Sequence, residues 1–203
     1  MHGKGIRRGG YWGSSQAFIK GGRLVIRTEY RDGAYGPGWY HAGIDTKGLF
    51  EQQYGYFEAR CKLPKGEGLW SAFWMLCGGM MQETGNGKGG AEIDIFESPY
   101  YGRRQNGLVT CNIHYDGYGK AHRTKNAGII RVANPYETFH TYGMERNERE
   151  YIFYLDGVES CLTSFGQPSQ APEYLILSTE VDGKQGRSLR GWSSDLRRNP
   201  EQI

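Results

Sequence analysis

Residues 54–63, Tyr-Gly-Tyr-Phe-Glu-Ala-Arg-Cys-Lys-Leu, alternate in polarity without a break. Phe57, Ala59, Cys61 and Leu63 share one face, and Tyr56, Glu58, Arg60 and Lys62 share the other. A period of two belongs to a strand that lays one face on a core. The pattern returns at 108–115, where Val109, Cys111 and Ile113 oppose Thr110, Asn112 and His114. The apolar run 69–77 suits a central strand, 149–158 reads as a strand entering an Asp-Gly turn, and 174–181 gives a further strand. Residues 17–30 read as two short strands about Lys20-Gly21-Gly22, and 31–42 as a loop rich in Gly, Tyr and Trp. A short helix is expected only near 135–139 or 193–199. With 32 glycines available for turns and few helical periods, 203 residues predict an all-β sandwich or barrel in a single domain over 1–203.

Charge excludes some functions. The net charge is +3, and the pairs Arg103-Arg104 and Arg197-Arg198 are short and isolated. They read as solvated loops, so no nucleic-acid partner is expected. No apolar stretch is long enough to span a bilayer, and residues 1–10 are basic without the apolar centre of a signal peptide. The four cysteines, Cys61, Cys77, Cys111 and Cys161, form no CxxC or Cys/His cluster, so no zinc site is expected. The position of Cys111 in its strand marks it as a buried apolar thiol, and three pairings of the four remain open.

The chemistry concentrates in residues 92–97, Glu-Ile-Asp-Ile-Phe-Glu. Glu92 and Asp94 share a strand face. Glu97 lies five positions from Glu92, so a regular strand would turn it away. One extra residue, a β-bulge at about Ile95–Phe96, returns it to the face of the other two. Three acids on one face repel one another and bring the fold no evident benefit. They suit a pair that flanks a bond to be broken, with the third separating the pKa values of the set. Retaining glycosidases hold two such carboxyl groups about 5–5.5 Å apart.

This motif resembles the active-site strand of family 16 of the glycoside hydrolases. The segments 44–63, 66–76 (Gly-Glu-Gly-Leu-Trp-Ser-Ala-Phe-Trp-Met-Leu) and 139–157 resemble that family's segments around the cleft, so the likeness covers most of the chain. The resemblance implies a concanavalin-like β-jelly-roll of two curved antiparallel sheets with a concave substrate cleft. It implies endo-cleavage of a β-linked polysaccharide with retention, here β-1,3- or β-1,3/1,4-glucan. Agarose or carrageenan is the alternative substrate, transglycosylation an alternative outcome, and a non-catalytic carbohydrate-binding jelly-roll the alternative of another class. By position Glu92 is the nucleophile and Glu97 the general acid/base, with Asp94 assisting. The residue before Glu97 matches the family's bulged branch.

Further cleft residues follow from the resemblance and from strand faces. Glu58 and Arg60 match a polar pair that binds sugar hydroxyls. Trp74 and Trp70 are expected to stack on sugar rings. His114 is expected to contact Glu97 or a sugar, Asn112 shares its face, and Glu180 on the last strand is expected to bind substrate. The resemblance implies no required cofactor, a structural calcium occurring in the family without an Asp-rich loop here to support one, and a secreted or extracellular monomer acting on polysaccharide. The closing strand typical of the family is absent before Ile203, so the chain is expected to be trimmed at its ends.

Overall fold

The structure, a computed structural model, describes residues 5–181. Its strands are β1 (Gly5–Arg7), β2 (Gly10–Trp12), β3 (Ala17–Lys20), β4 (Arg23–Ile26), β5 (Glu29–Gly33), β6 (Gly36–His41), β7 (Gly43–Asp45) and β8 (Gly55–Cys61). There follow β9 (Leu69–Leu76), β10 (Glu92–Ser98), β11 (Leu108–Tyr115), β12 (Arg123–Arg131), β13 (His140–Arg146), β14 (Tyr151–Leu155), β15 (Val158–Thr163) and β16 (Tyr174–Val181). Two antiparallel sheets carry the fold, one in the order β12-β11-β10-β9-β16-β7 and the other β15-β14-β13-β8. Between them lies one core, in which Phe73, Met75, Ile93 and Ile113 of the first sheet meet Phe57, Tyr142, Met144 and Phe153 of the second. The expected sandwich of two antiparallel sheets is what the chain forms. No helix among the described residues is long and apolar enough to cross a membrane.

The alternation of residues 54–63 holds within β8: Phe57 and Cys61 are buried while Tyr56, Glu58 and Arg60 are exposed. The 31–42 segment departs from the expected loop. Residues 36–41 form β6, which pairs antiparallel with β5 and parallel with β2. Its glycines hide a strand because aromatic rings lie on them: a Cβ on Gly38 would meet the Tyr11 ring at 2.7 Å, and one on Gly33 the Tyr40 ring at 2.5 Å. Trp39 and Tyr40, within the segment expected to be a loop, are buried, Trp39 against Leu69 and Val181. Residues 135–139 form a turn rather than a helix, with the Glu137 and Thr138 N–H groups both donating to the Asn134 carbonyl at 2.9 and 3.1 Å. The alternative helix at 193–199 lies outside the described residues. The strand β12 carried no sequence signal, because it is a polar strand at the edge of the sheet, paired among the described residues with β11 alone.

The N-terminal residues join this frame at its edge. The β1-β2 hairpin sits in a third sheet, β1-β2-β6-β5, and the Gly9 N–H donates to the Val181 carbonyl at 2.9 Å. The tip of that hairpin, Arg8, adopts a left-handed φ of 51°. This docking at the end of β16 delivers two arginines to the cleft described next.

Candidate active site

The acid strand β10 lies inside the six-stranded sheet, between β9 and β11. Asp94 opposes Trp74 and Phe96 opposes Phe73, so Ile95 has no partner of its own on β9. On the β11 side the register shifts in the same place, from Asp94 opposite Asn112 to Glu97 opposite Thr110. The bulge therefore falls between Asp94 and Glu97. Its consequence is visible in burial: the consecutive residues Ile95 and Phe96 both enter the core, each 2% exposed. Two adjacent side chains can face one way only if the pleat is interrupted. The interruption brings Glu97 into the same cleft wall as Glu92 and Asp94, together with Trp70, Ala72 and Trp74 of β9 and Ser178 and Glu180 of β16.

Each acid has its own partners. Glu97 Oε1 accepts the Trp70 indole N–H at 2.8 Å, and its Oε2 accepts the Asn112 amide at 2.6 Å. Asn112 is in turn held by Asn126, whose amide donates to Asn112 Oδ1 at 2.9 Å. Burial, then the neighbouring Asp94, push the Glu97 carboxyl up to about 8, against the opposing pull of the Trp70 hydrogen bond. Near neutral pH Glu97 thus keeps its proton. Burial and the charge of Glu92 hold Asp94 well above the usual carboxylate range. Glu92 Oε2 accepts the Tyr118 hydroxyl.

His114 stands opposite Glu92 on β11. Its Nε2 lies 3.2 Å from Asp94 Oδ2 and 3.9 Å from Glu92 Oε1. The expected contact with Glu97 is therefore replaced by one with Asp94, because the bulge sets Glu97 against Thr110 and Asn112 instead. His114 Nδ1 meets His122 Nε2 at 3.0 Å, with the rings stacked at 5.1 Å. If His114 Nε2 carries its hydrogen toward Asp94, Nδ1 is left to accept from His122. Sequence reasoning missed Tyr118 and His122. Both lie in the aperiodic link between β11 and β12, and the one available signal was an aromatic and a histidine directly after a cleft-facing strand.

Arg7 and Arg8 were also missed. Arg7 Nε donates to Glu180 Oε1 at 2.5 Å, Arg8 pairs with the other oxygen, and the Arg8 guanidinium lies 4.0 Å from the Trp70 ring centroid. Glu180 is thus engaged by two cations, and one face of Trp70 is covered. Trp74 forms the cleft floor: it is buried against Tyr174 and Ile176, and its indole N–H donates to Ser178 Oγ at 3.1 Å.

This wall of three carboxyl groups, two of them raised by burial, has the form of a glycosidase centre. Residues 11–183 match Glycosyl hydrolases family 16. The chain belongs to this family. It is 30% identical over 148 residues to Endo-1,3-1,4-beta-glycanase ExsH of Rhizobium meliloti (strain 1021), covering 73% of this chain and 29% of that protein. It is 31% identical over 183 residues to a beta-glucanase of Rhodothermus marinus, covering 84% of this chain and 62% of that protein. The chain therefore spans less than two thirds of the length of these relatives. The laminarinase catalytic domain of Thermotoga maritima MSB8 superposes with a TM-score of 0.69 at 30% identity, over 94% of this chain and 78% of that one.

Within the family 16 fold, a further expectation about the cleft fails. Glu58 and Arg60 lie on β8, in the four-stranded sheet, and both are exposed on the face turned from the core. That face is on the far side of the sandwich from the acids. Glu58 accepts the Tyr56 hydroxyl at 2.9 Å, and Arg60 lies over the Phe139 ring at 5.0 Å. Their shared parity was read correctly, but parity reports only that a residue faces away from the core. It does not report which of two sheets carries the strand.

Proposed function

We propose that this chain is an endo-acting retaining hydrolase of a β-linked glucan with β-1,3 or mixed β-1,3/1,4 linkages. The observation that carries the reading is Glu97, held by Trp70 and Asn112 on the same wall as Glu92, where burial pushes its carboxyl up to about 8. In the first step Glu92 attacks the anomeric carbon while Glu97 gives its proton to the leaving glycosidic oxygen. The glycosyl–Glu92 ester forms and the reducing-side fragment leaves. In the second step Glu97, now a carboxylate, takes a proton from water, and the water oxygen displaces Glu92. Asp94, between the two in sequence, raises Glu97 and lies 3.2 Å from His114 Nε2. Asn112 serves the reaction through Glu97, as a positioning residue. Trp74 and Trp70 line the cleft where a sugar would lie.

Support for the substrate class comes from relatives named as a 1,3-1,4-beta-glycanase, a beta-glucanase and a laminarinase. A second reading, a sulfated galactan, is favoured by Arg7 and Arg8 on the cleft wall. The three carboxyl groups argue against a purely carbohydrate-binding role, which needs aromatic and polar contacts but no protonated acid.

The test is a product assay on laminarin, lichenan, agarose and carrageenan, with Glu92→Gln alongside. Oligosaccharides are expected from laminarin or lichenan, with a loss of at least about 10³-fold in the variant. Cleavage of carrageenan alone would select the second reading. Wild-type rates in Glu92→Gln would remove Glu92 from the nucleophile's role.

A further inference from the structure

Behind the acid strand, two thiols from opposite sheets come together. Cys111 lies on the core face of β11 and is fully buried. Its Sγ donates to the carbonyl of Ile95, the extra residue of the bulge, at 3.2 Å. Cys161 lies on β15 of the other sheet, opposite Phe153, and is half-buried.

The sheets pinch at this point. Facing sheets ordinarily stand about 10 Å apart. Here a Cβ built on Gly128 would fall 2.3 Å from Cys161 Sγ and 2.7 Å from its Cβ. A residue of one sheet therefore reaches the backbone of the other, and Gly128 is the gap it fills. Gly128 is also the cross-strand partner of Cys111. Cross-strand neighbours hold their Cβ positions about 4.5–5.5 Å apart. A sulfur seated on Gly128 consequently lies beside the side chain of Cys111. Cys77 is engaged elsewhere, its Sγ facing Glu173 Oε1 at 3.8 Å, and Cys61 ends β8, opposite His140 of β13.

We propose that Cys111 and Cys161 form a disulfide site, closed by an oxidant of the disulfide class such as oxidised glutathione, which staples the two sheets together behind the catalytic strand. Cys161 is the accessible member, and its contact with Cys111 lowers its thiol toward the reactive thiolate. Its thiolate attacks one sulfur of glutathione disulfide, the S–S bond breaks, and one glutathione thiolate leaves and takes up a proton. Cys111, giving its proton to solvent, then attacks Cys161 Sγ and expels the second glutathione. Two protein thiols are oxidised to one disulfide, and one glutathione disulfide is reduced to two glutathione molecules. The link closes a loop of about 50 residues and withdraws the S–H donor from the Ile95 carbonyl.

The experiment treats the full chain with oxidised glutathione or with dithiothreitol, then removes the reagent. Intact mass, peptide mapping and thermal unfolding follow. The oxidised form is expected to lose about 2 Da, to show the Cys111 and Cys161 peptides linked, and to melt roughly 5–10 °C higher. Cys161→Ser is expected to erase the mass change and the difference in Tm between the two treatments. Four free thiols after oxidation would overturn the proposal. So would a link that includes Cys61 or Cys77, or glutathione retained on Cys161 with no link to Cys111.

Discussion

At the scale of single residues, the reactivity of Glu97 is set by neighbours of opposite effect. On top of the larger effect of burial, Asp94 raises its carboxyl by Coulomb repulsion, and the Trp70 indole lowers it by bonding to the charged form. The first step requires the protonated form, so kcat/KM should fall as pH rises through about 8. Asp94→Asn is expected to move this basic limb to lower pH, and Trp70→Phe to move it higher, each by about one pH unit. A pH–rate profile of the three proteins checks this; equal limbs would show that neither residue tunes Glu97. The same raised carboxyl has a stability cost of definite sign. From its ordinary value of 4.5 to about 8, the unfolded chain has released a proton that the fold retains, so this contribution weakens the fold as pH rises through that window. The acids themselves were legible in six residues of sequence. Tyr118, His122, Arg7 and Arg8 were not, because each reaches the site from a hairpin or link whose spacing carries no period.

At the scale of elements, the bulge and the start of β10 decide where the acids point. Odd spacing between Glu92 and Glu97 forecast the bulge, and the paired burial of Ile95 and Phe96 explains why the sequence keeps two large apolar residues in a row there. Gly90 governs the entry to the strand. It holds φ at 149°, and a Cβ there would meet Cys77 Sγ at 2.4 Å and the Met80 amide nitrogen at 2.7 Å. The next residue, Ala91, donates its N–H to Glu173 at 3.0 Å. Gly90→Ala is expected to cost about 1–3 kcal/mol, because both the backbone angle and the surrounding atoms must yield. Denaturant unfolding measures it, and an unchanged midpoint would refute the steric argument. Strand positions and faces were mostly readable from alternation. Sheet membership was not, since Glu58 on β8 and His114 on β11 show the same local pattern on opposite sides of the molecule.

Over the whole molecule, a buried ion pair joins distant parts of the sandwich. Arg146 Nη1 meets Glu173 Oε2 at 2.6 Å with both side chains fully buried. Arg146 Nη2 also donates to the Gln52 carbonyl at 2.6 Å and to the Ala171 carbonyl at 3.2 Å. Together with the Ala91 N–H these bonds tie the end of β13 to the approaches of β8, β10 and β16. Glu173→Ala would leave a buried guanidinium without its counter-ion, and should cost about 3–5 kcal/mol and lower Tm by on the order of 10 °C. Combining it with Arg146→Met should restore much of the loss. Recovery absent from the double variant would show that packing, not charge, sets the cost. Nothing local in the sequence distinguishes these two residues from surface charges, since they are 27 residues apart and meet only once both sheets have formed.

The central claim, a double displacement through Glu92 with Glu97 as acid and then base, is tested most directly by following the anomeric protons of fresh laminarin or lichenan products by NMR. Two inversions leave the configuration unchanged, so the β-anomer should appear first and mutarotate to the equilibrium mixture. An α-anomer appearing first would contradict the two-step mechanism and, with it, the role assigned to Glu92.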